Sequence, residues 1–201
     1  MVYDFNDPRW IKNINEGHTP RRGVVLTFDD GPGKYTKDIL DILQEKQVKA
    51  VFFWQSRLVY PKRPWKRLLE EGHILGSHAH NHSNLTRLTK EEQFHHINSS
   101  KSILEKLTGI EVKYFRPPFG RYNEETMNII EKLKMTPVMW DISTYDWELK
   151  SEPQRITSNI VDHVEEGSII LLHEVEQTVK ALPSIIKGIL EKGLSFELLE
   201  D

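Results

Sequence analysis

From Val24 onward the chain alternates, seven times over, between short apolar β-rich runs and stretches of helical spacing. The runs are Val24–Phe28, Ala50–Trp54, Ile74–Ser77, Val112–Phe115, Thr136–Trp140, Ser168–Leu172 and Ser195–Leu199. Each is bounded by polar or glycine-containing segments, as strands buried on both faces of a parallel sheet are. Between them, helices are expected over Thr36–Lys46, Pro61–Glu71, Thr89–Thr108, Asn123–Lys134, Glu152–Glu166 and Thr178–Lys192. Their ends carry local signals. Thr89-Lys-Glu-Glu92 has the spacing of a capping box, and Gly109, Gly167 and Gly193 stand where helices stop. Strand–helix alternation of this kind builds a parallel sheet with right-handed crossovers. An open doubly wound sheet and a closed barrel both satisfy it.

At 201 residues the chain suits one domain with a buried core, expected over 23–201 behind an irregular arm at 1–22. Charged residues make up 28% and the formal net charge is -3, so nothing points to nucleic acid or an anionic membrane as a partner. No apolar run is long enough to span a bilayer. With no cysteine present, a metal would be held by His, Asp or Glu. The start, Met1 to Trp10, lacks a basic stretch followed by an apolar one and does not read as a secretory signal, so either the protein is cytoplasmic, as it reads at face value, or the sequence has been processed or trimmed.

In parallel α/β architectures the site forms at the carboxyl ends of the strands. Polar residues concentrate there. The first strand is followed by Asp29-Asp30-Gly31-Pro32, and the third by His78-Ala-His80-Asn-His82. The fourth leads into Arg116-Pro-Pro-Phe-Gly120, the fifth into Asp141 through Asp146-Trp147, and the sixth into His173-Glu174. The opposite rim carries glycines, lysines and glutamates, an ordinary solvated surface. His78 and His82, four apart, can grip one ion, and an aspartate from the neighbouring strand completes a set with open positions. That pattern belongs to catalytic rather than closed structural metal sites. His80 is expected to point elsewhere, and His95 and His96 to sit on a helix surface.

Taken in order, Thr27-Phe-Asp-Asp-Gly-Pro32, His78-x-x-x-His82, Arg116-Pro-Pro-Phe-Gly-Arg-Tyr-Asn123, Asp146-Trp147 and Leu171-Leu-His173 resemble the motifs of the NodB-type polysaccharide deacetylases, carbohydrate esterase family four. The resemblance covers roughly residues 20 to 200. It implies a distorted, incomplete (β/α) barrel of about seven parallel strands. It also implies Asp30, His78 and His82 as metal ligands, with zinc the expected ion and cobalt or a similar ion an alternative. Asp29 matches the general base, Arg116 its partner, His173 the general acid and Asp146 the carboxylate that orients it. The Phe119 N–H matches an oxyanion donor, and Trp147 and Leu171 match the walls around the acetyl methyl. The implied activity is removal of acetyl groups from N-acetylglucosamine-type residues in peptidoglycan or a chitin-like oligosaccharide, substrates that lie outside the cytoplasm or in the cell wall.

Two positions depart from the family pattern. Ser143 stands where an aspartate is usual, with Asp141 nearby as a substitute, and Phe52-Phe-Trp-Gln-Ser56 ends in Ser where the family has Gly. Trp54 or Gln55 is expected to reshape the substrate groove. Two other readings remain open on the same residues: a hydrolase of small non-peptide amides, and a catalytically silent carbohydrate-binding module. The joint presence of Asp29, Arg116, Asp146 and His173 argues against the silent module, because binding alone needs no acid and base pair.

Overall fold

The computed structural model describes residues 3–15 and 22–199; the remainder of the expected 1–22 arm and the last two residues lie outside the described residues. Among the described residues, eight parallel strands alternate with six α-helices, except that the fifth and sixth strands follow each other directly. The strands are β1 (Gly23–Asp29), β2 (Val51–Trp54), β3 (Ile74–Ser77), β4 (Tyr114–Phe115), β5 (Thr136–Pro137), β6 (Ile142–Ser143), β7 (Ile169–His173) and β8 (Ser195–Phe196). The helices are α1 (Thr36–Lys46), α2 (Trp65–Glu70), α3 (Lys90–Thr108), α4 (Glu124–Lys132), α5 (Pro153–Val161) and α6 (Glu176–Glu191). Strand order is β5-β4-β3-β2-β1-β7-β6, with β8 on a separate pairing to β1. This is the barrel side of the choice that alternation leaves open.

The order explains one departure from the sequence reading. The strand expected over Thr136–Trp140 shrinks to β5, and β6, just beyond it in sequence, lies at the opposite end of the sheet. Residues 138–141 cross from one edge to the other and bring the sheet round on itself. The arm covers the remaining gap. Ile11 bridges Val138 on one side and Asn13 bridges Ser168 on the other, while Trp10 and Ile14 are buried. Irregular in sequence, the arm is fixed by bridges to Val138, just past β5, and to Ser168, just before β7, non-local interactions that periodicity cannot report.

Along β1 and β7 the side chains alternate between two environments. Val24, Leu26, Phe28, Ile170 and Leu172 pack outward against Ile39, Leu43, Ile156, Leu182 and Ile186 of α1, α5 and α6. Val25 and Ile169 join Ile14, Val51, Phe53, Tyr114 and Val138 inside the barrel. The same alternation turns Thr27, Asp29, Leu171 and His173 inward, toward the carboxyl end of the ring.

Helix ends follow local chemistry. Thr89 and Glu92 form a reciprocal capping box on α3, which Gly109 ends at φ 74°. The first turn of α4 is capped by Asn123 together with Thr126. Three helices are shorter than their apolar spacing suggests. Pro64 occupies the N-cap of α2, so the expected start at Pro61 moves to Trp65. Helix α4 ends at Lys132 with Leu133 as its C-cap. Helix α5 ends at Val161, and residues 162–167 turn back into β7.

Candidate active site

Asp29, Asp30, His78, His82, Phe119, Trp147, Leu171 and His173 converge on one cleft of about 490 Å³ at the carboxyl ends of β1, β3 and β7. Every residue expected to touch the substrate or a metal lines it. Arg116 and Asp146, expected as supports, lie wholly buried behind it.

The Asp29 carboxylate is held from beneath. Arg116 Nη1 donates to Asp29 Oδ1 at 2.9 Å and to Thr27 Oγ1 at 2.7 Å. Its other nitrogens donate to the carbonyls of Val138 at 3.3 Å and Met139 at 2.7 Å, and the guanidinium lies over the Phe53 ring. One side chain therefore ties Asp29 to the segment that closes the barrel. Burial pushes the Asp29 carboxyl up from its ordinary range, and the Arg116 charge opposes that shift.

Three side chains could hold one metal ion. One ligand atom each from Asp30, His78 and His82 lies within 4.8 Å of the others. Asp30 Oδ1 stands 3.3 Å from His82 Nε2 and 3.7 Å from His78 Nε2. The His78 Nδ1–H donates to the Arg116 carbonyl at 2.7 Å, which leaves the Nε2 lone pair facing the cluster. Burial lowers the His78 pKa to about 3, so the ring is neutral and ready to ligate across the physiological range. A set of one carboxylate and two imidazoles, with one side open to the cleft, fits a divalent cation.

On the far wall, His173 Nδ1 donates to Asp146 Oδ1 at 2.7 Å, and its Nε2 points at the cluster, 4.0 Å from Asp30 Oδ2. Burial by itself would lower the His173 pKa. The Asp146 hydrogen bond and charge outweigh it and raise the value to about 9. Asp146 is fixed in turn by the His173 backbone N–H at 2.6 Å and the Thr178 hydroxyl at 2.6 Å. Trp147 packs edge-on against the His173 ring, and Leu171 is buried at the cleft floor. Phe119 sits at φ 61°, half exposed over His82. The neighbouring Gly120 and Arg121 N–H groups are taken by the carbonyls of Pro117 and Pro118.

Some residues take other places than the sequence suggests. Asp141 does not line the cleft: its carboxylate accepts from the Ile169 N–H at 2.7 Å and from Asn13 at 3.1 Å, tying β7 and the arm together. It therefore does not replace the aspartate missing at Ser143, which lies in β6. Trp54 does not reshape the groove, because it is wholly buried and donates to Glu174 Oε1 at 2.6 Å. Ser56 and His80 bond to each other at 2.9 Å, and the His80 ring faces His96 rather than the cluster. His96 is half-buried instead of exposed, since β3's continuation packs across it.

Glu174 is the residue whose role the motifs do not announce. It lies beneath the loop after β1, accepting from Trp54, from the Gly33 N–H at 3.0 Å and from Thr36. A Cβ on Gly31 would stand 1.9 Å from Glu174 Oε1, so only glycine admits this carboxylate. Burial raises its pKa to about 6. Thr27 is likewise silent in the motif, although its inward position on β1 follows from the two-residue alternation.

The sequence profile described as polysaccharide deacetylase matches residues 16–138. This chain belongs to the polysaccharide deacetylase family. Among curated members, a peptidoglycan-N-acetylglucosamine deacetylase of Bacillus cereus is 35% identical over 184 residues, covering 88% of this chain and 66% of that one. The peptidoglycan-N-acetylmuramic acid deacetylase PdaC of Bacillus subtilis is 34% identical over 173 residues, covering 85% of this chain but only 36% of its own length. This deacetylase-family chain thus spans from about a third to two thirds of those relatives. Among solved structures, the Bc1960 peptidoglycan N-acetylglucosamine deacetylase superposes with a TM-score of 0.86 at 32% identity, covering 94% of this chain and 89% of that one. A family pseudoenzyme from Bacillus anthracis superposes at 0.82 with 28% identity, covering 89% of this chain and 64% of that one. Fold alone therefore does not separate active from silent members of the family.

Proposed function

We propose that this protein is a metal-dependent N-deacetylase that hydrolyses the acetamide of N-acetylglucosamine-type residues in a glycan, peptidoglycan or a chitin-like oligosaccharide, and releases acetate. One observation carries the reading. Asp29 and His173 flank the Asp30–His78–His82 cluster, and each is held by its own buried, oppositely charged partner, Arg116 and Asp146. A binding module has no use for two such pairs.

A divalent cation held by Asp30, His78 and His82 would polarise the acetamide carbonyl and lower the pKa of an adjacent water toward roughly 7. Zinc suits the donor set best, and cobalt is compatible with it. Asp29 takes the proton as that water attacks the carbonyl carbon. Arg116 keeps the carboxylate aimed at the water and balances its charge. The Phe119 N–H donates to the oxygen on which negative charge develops. His173 then gives its Nε2 proton to the sugar nitrogen as the C–N bond breaks, and Asp146 ensures that the proton is there to give. Trp147 and Leu171 enclose the acetyl methyl.

On this reading residues 23–201 form the catalytic domain, with 1–22 as its arm, and the substrate places the enzyme's work outside the cytoplasm, at the cell wall. The relatives' names support peptidoglycan as the polymer, N-acetylglucosamine ahead of N-acetylmuramic acid. No helix of the described residues is long and apolar enough to cross a membrane. The test is acetate release with zinc or cobalt from N-acetylglucosamine oligomers, from peptidoglycan and from small linear and cyclic amides. Release from the glycans supports the reading. Turnover of the small amides alone replaces it with a small-amide hydrolase, and sugar binding without any turnover replaces it with a silent module.

A further inference from the structure

We infer that Gln55 is a positioning residue for the Asp30 carboxylate, and that Gln55 and Arg57 together set how tightly the site holds its divalent ion. The inference rests on the assignment of Asp30, His78 and His82 as the cation site. Gln55 leaves β2 directly beneath the loop that carries Asp30, and it is buried. Its Nε2 donates to Asp30 Oδ1 at 3.1 Å and to the Asp30 carbonyl at 3.4 Å, while its backbone N–H donates to the Gly31 carbonyl at 2.9 Å. On its other side, Arg57 Nε donates to Gln55 Oε1 at 3.2 Å. That bond fixes which end of the amide faces Asp30: the oxygen is turned to the guanidinium, so the nitrogen must face the carboxylate.

Two consequences follow from this geometry. Asp30 sits at φ 72°, the left-handed region that a non-glycine residue occupies at a cost, and the Gln55 bonds hold its backbone there. Its Oδ1 is also the oxygen that faces both imidazoles, whereas Oδ2 lies 4.0 Å from His173 Nε2. His173 thus stands on the Oδ2 side of the carboxylate, away from the two imidazoles. Gln55 anchors the Oδ1 that faces the imidazoles. A neutral amide suits this task, because a cation at the same place would compete with the metal and a second carboxylate would repel Asp30.

The experiment compares metal-stripped wild type, Gln55→Leu, Gln55→Met and Arg57→Ala. Zinc affinity is read by chelator competition, coordination by the visible spectrum of bound cobalt, and folding by the melting temperature of the metal-free proteins. Outer-shell partners of this kind change metal affinity by roughly 10–100-fold. We expect a loss in that range for both Gln55 variants with an altered cobalt spectrum, and a smaller loss for exposed Arg57→Ala with unchanged metal-free melting. Wild-type affinity in both Gln55 variants overturns the inference while leaving the metal site intact. A loss confined to variants whose metal-free form melts early also overturns it, since packing then explains the effect. A wild type that takes up no zinc overturns the metal site and this inference together.

Discussion

Replacing Asp146 with asparagine isolates the proton-donor half of the site. Asparagine keeps the size of the buried side chain and one carbonyl oxygen for the His173 backbone N–H, but it removes the charge that holds the imidazolium. With the carboxylate, the His173 pKa is about 9; without its hydrogen bond and charge, burial is opposed only by the Asp29 and Asp30 charges and the value falls toward the ordinary 6.5. At pH 8 the protonated fraction then falls from roughly nine tenths toward about 3%, the value for a pKa of 6.5, so turnover that needs this proton falls by up to about 30-fold. The sign is fixed: His173 donates only when protonated, so wild-type activity declines as pH rises through about 9, and the variant declines earlier, by up to about 2.5 units. The assay is the pH profile of kcat/KM on an N-acetylglucosamine oligomer, with zinc affinity measured in parallel. Asp146 touches no proposed ligand, so metal binding should be unchanged. A basic limb that stays near pH 9 in the Asp146→Asn variant would refute His173 as the acid.

Three further outcomes follow from the same geometry. Asp29→Asn should lower kcat by about 10²–10⁴-fold, the usual worth of a general base, while zinc binding measured by chelator competition persists. Asp30→Ala and His78→Ala should each come through purification and zinc reconstitution without metal by elemental analysis, Asp30→Ala keeping its fold because that side chain is partly exposed. Trp54→Phe deprives the buried Glu174 of a donor, at a cost of about 1–3 kcal/mol. The Glu174 pKa is raised from 4.5 to about 6 in the folded protein, so its contribution to stability is complete below about 4.5 and is lost as pH rises through about 6. The Trp54→Phe defect should accordingly be larger at pH 8 than at pH 5 in thermal melts.

How far the sequence could be read depended on the range of the interaction involved. Residues leaving β1, β3 and β7 declared themselves because strand ends in parallel sheets share one rim. The family motifs then paired Arg116 with Asp29 and Asp146 with His173, contacts that spacing alone could not assign. What stayed hidden is set by distant partners. Trp54 looked like a groove residue because it stands in a stretch that departs from the family pattern, yet its indole N–H is committed to Glu174, 120 positions away. Asp141 looked like a spare catalytic carboxylate, but β7 and Asn13 take both of its oxygens. The short β5 with β6 at the far edge beyond it, and the bridges made by Ile11 and Asn13, depend on how the barrel closes, which no local pattern encodes.

The central claim is that one divalent cation between Asp30, His78 and His82 is required for amide hydrolysis. The direct measurement is mass detection of deacetylated product from an N-acetylglucosamine oligomer, using protein stripped by a chelator and then titrated with zinc. The account predicts no product from the stripped protein and full recovery at about one equivalent, since the site offers a single mononuclear ligand set. Undiminished product from protein verified free of metal, or recovery that requires two equivalents, would contradict it.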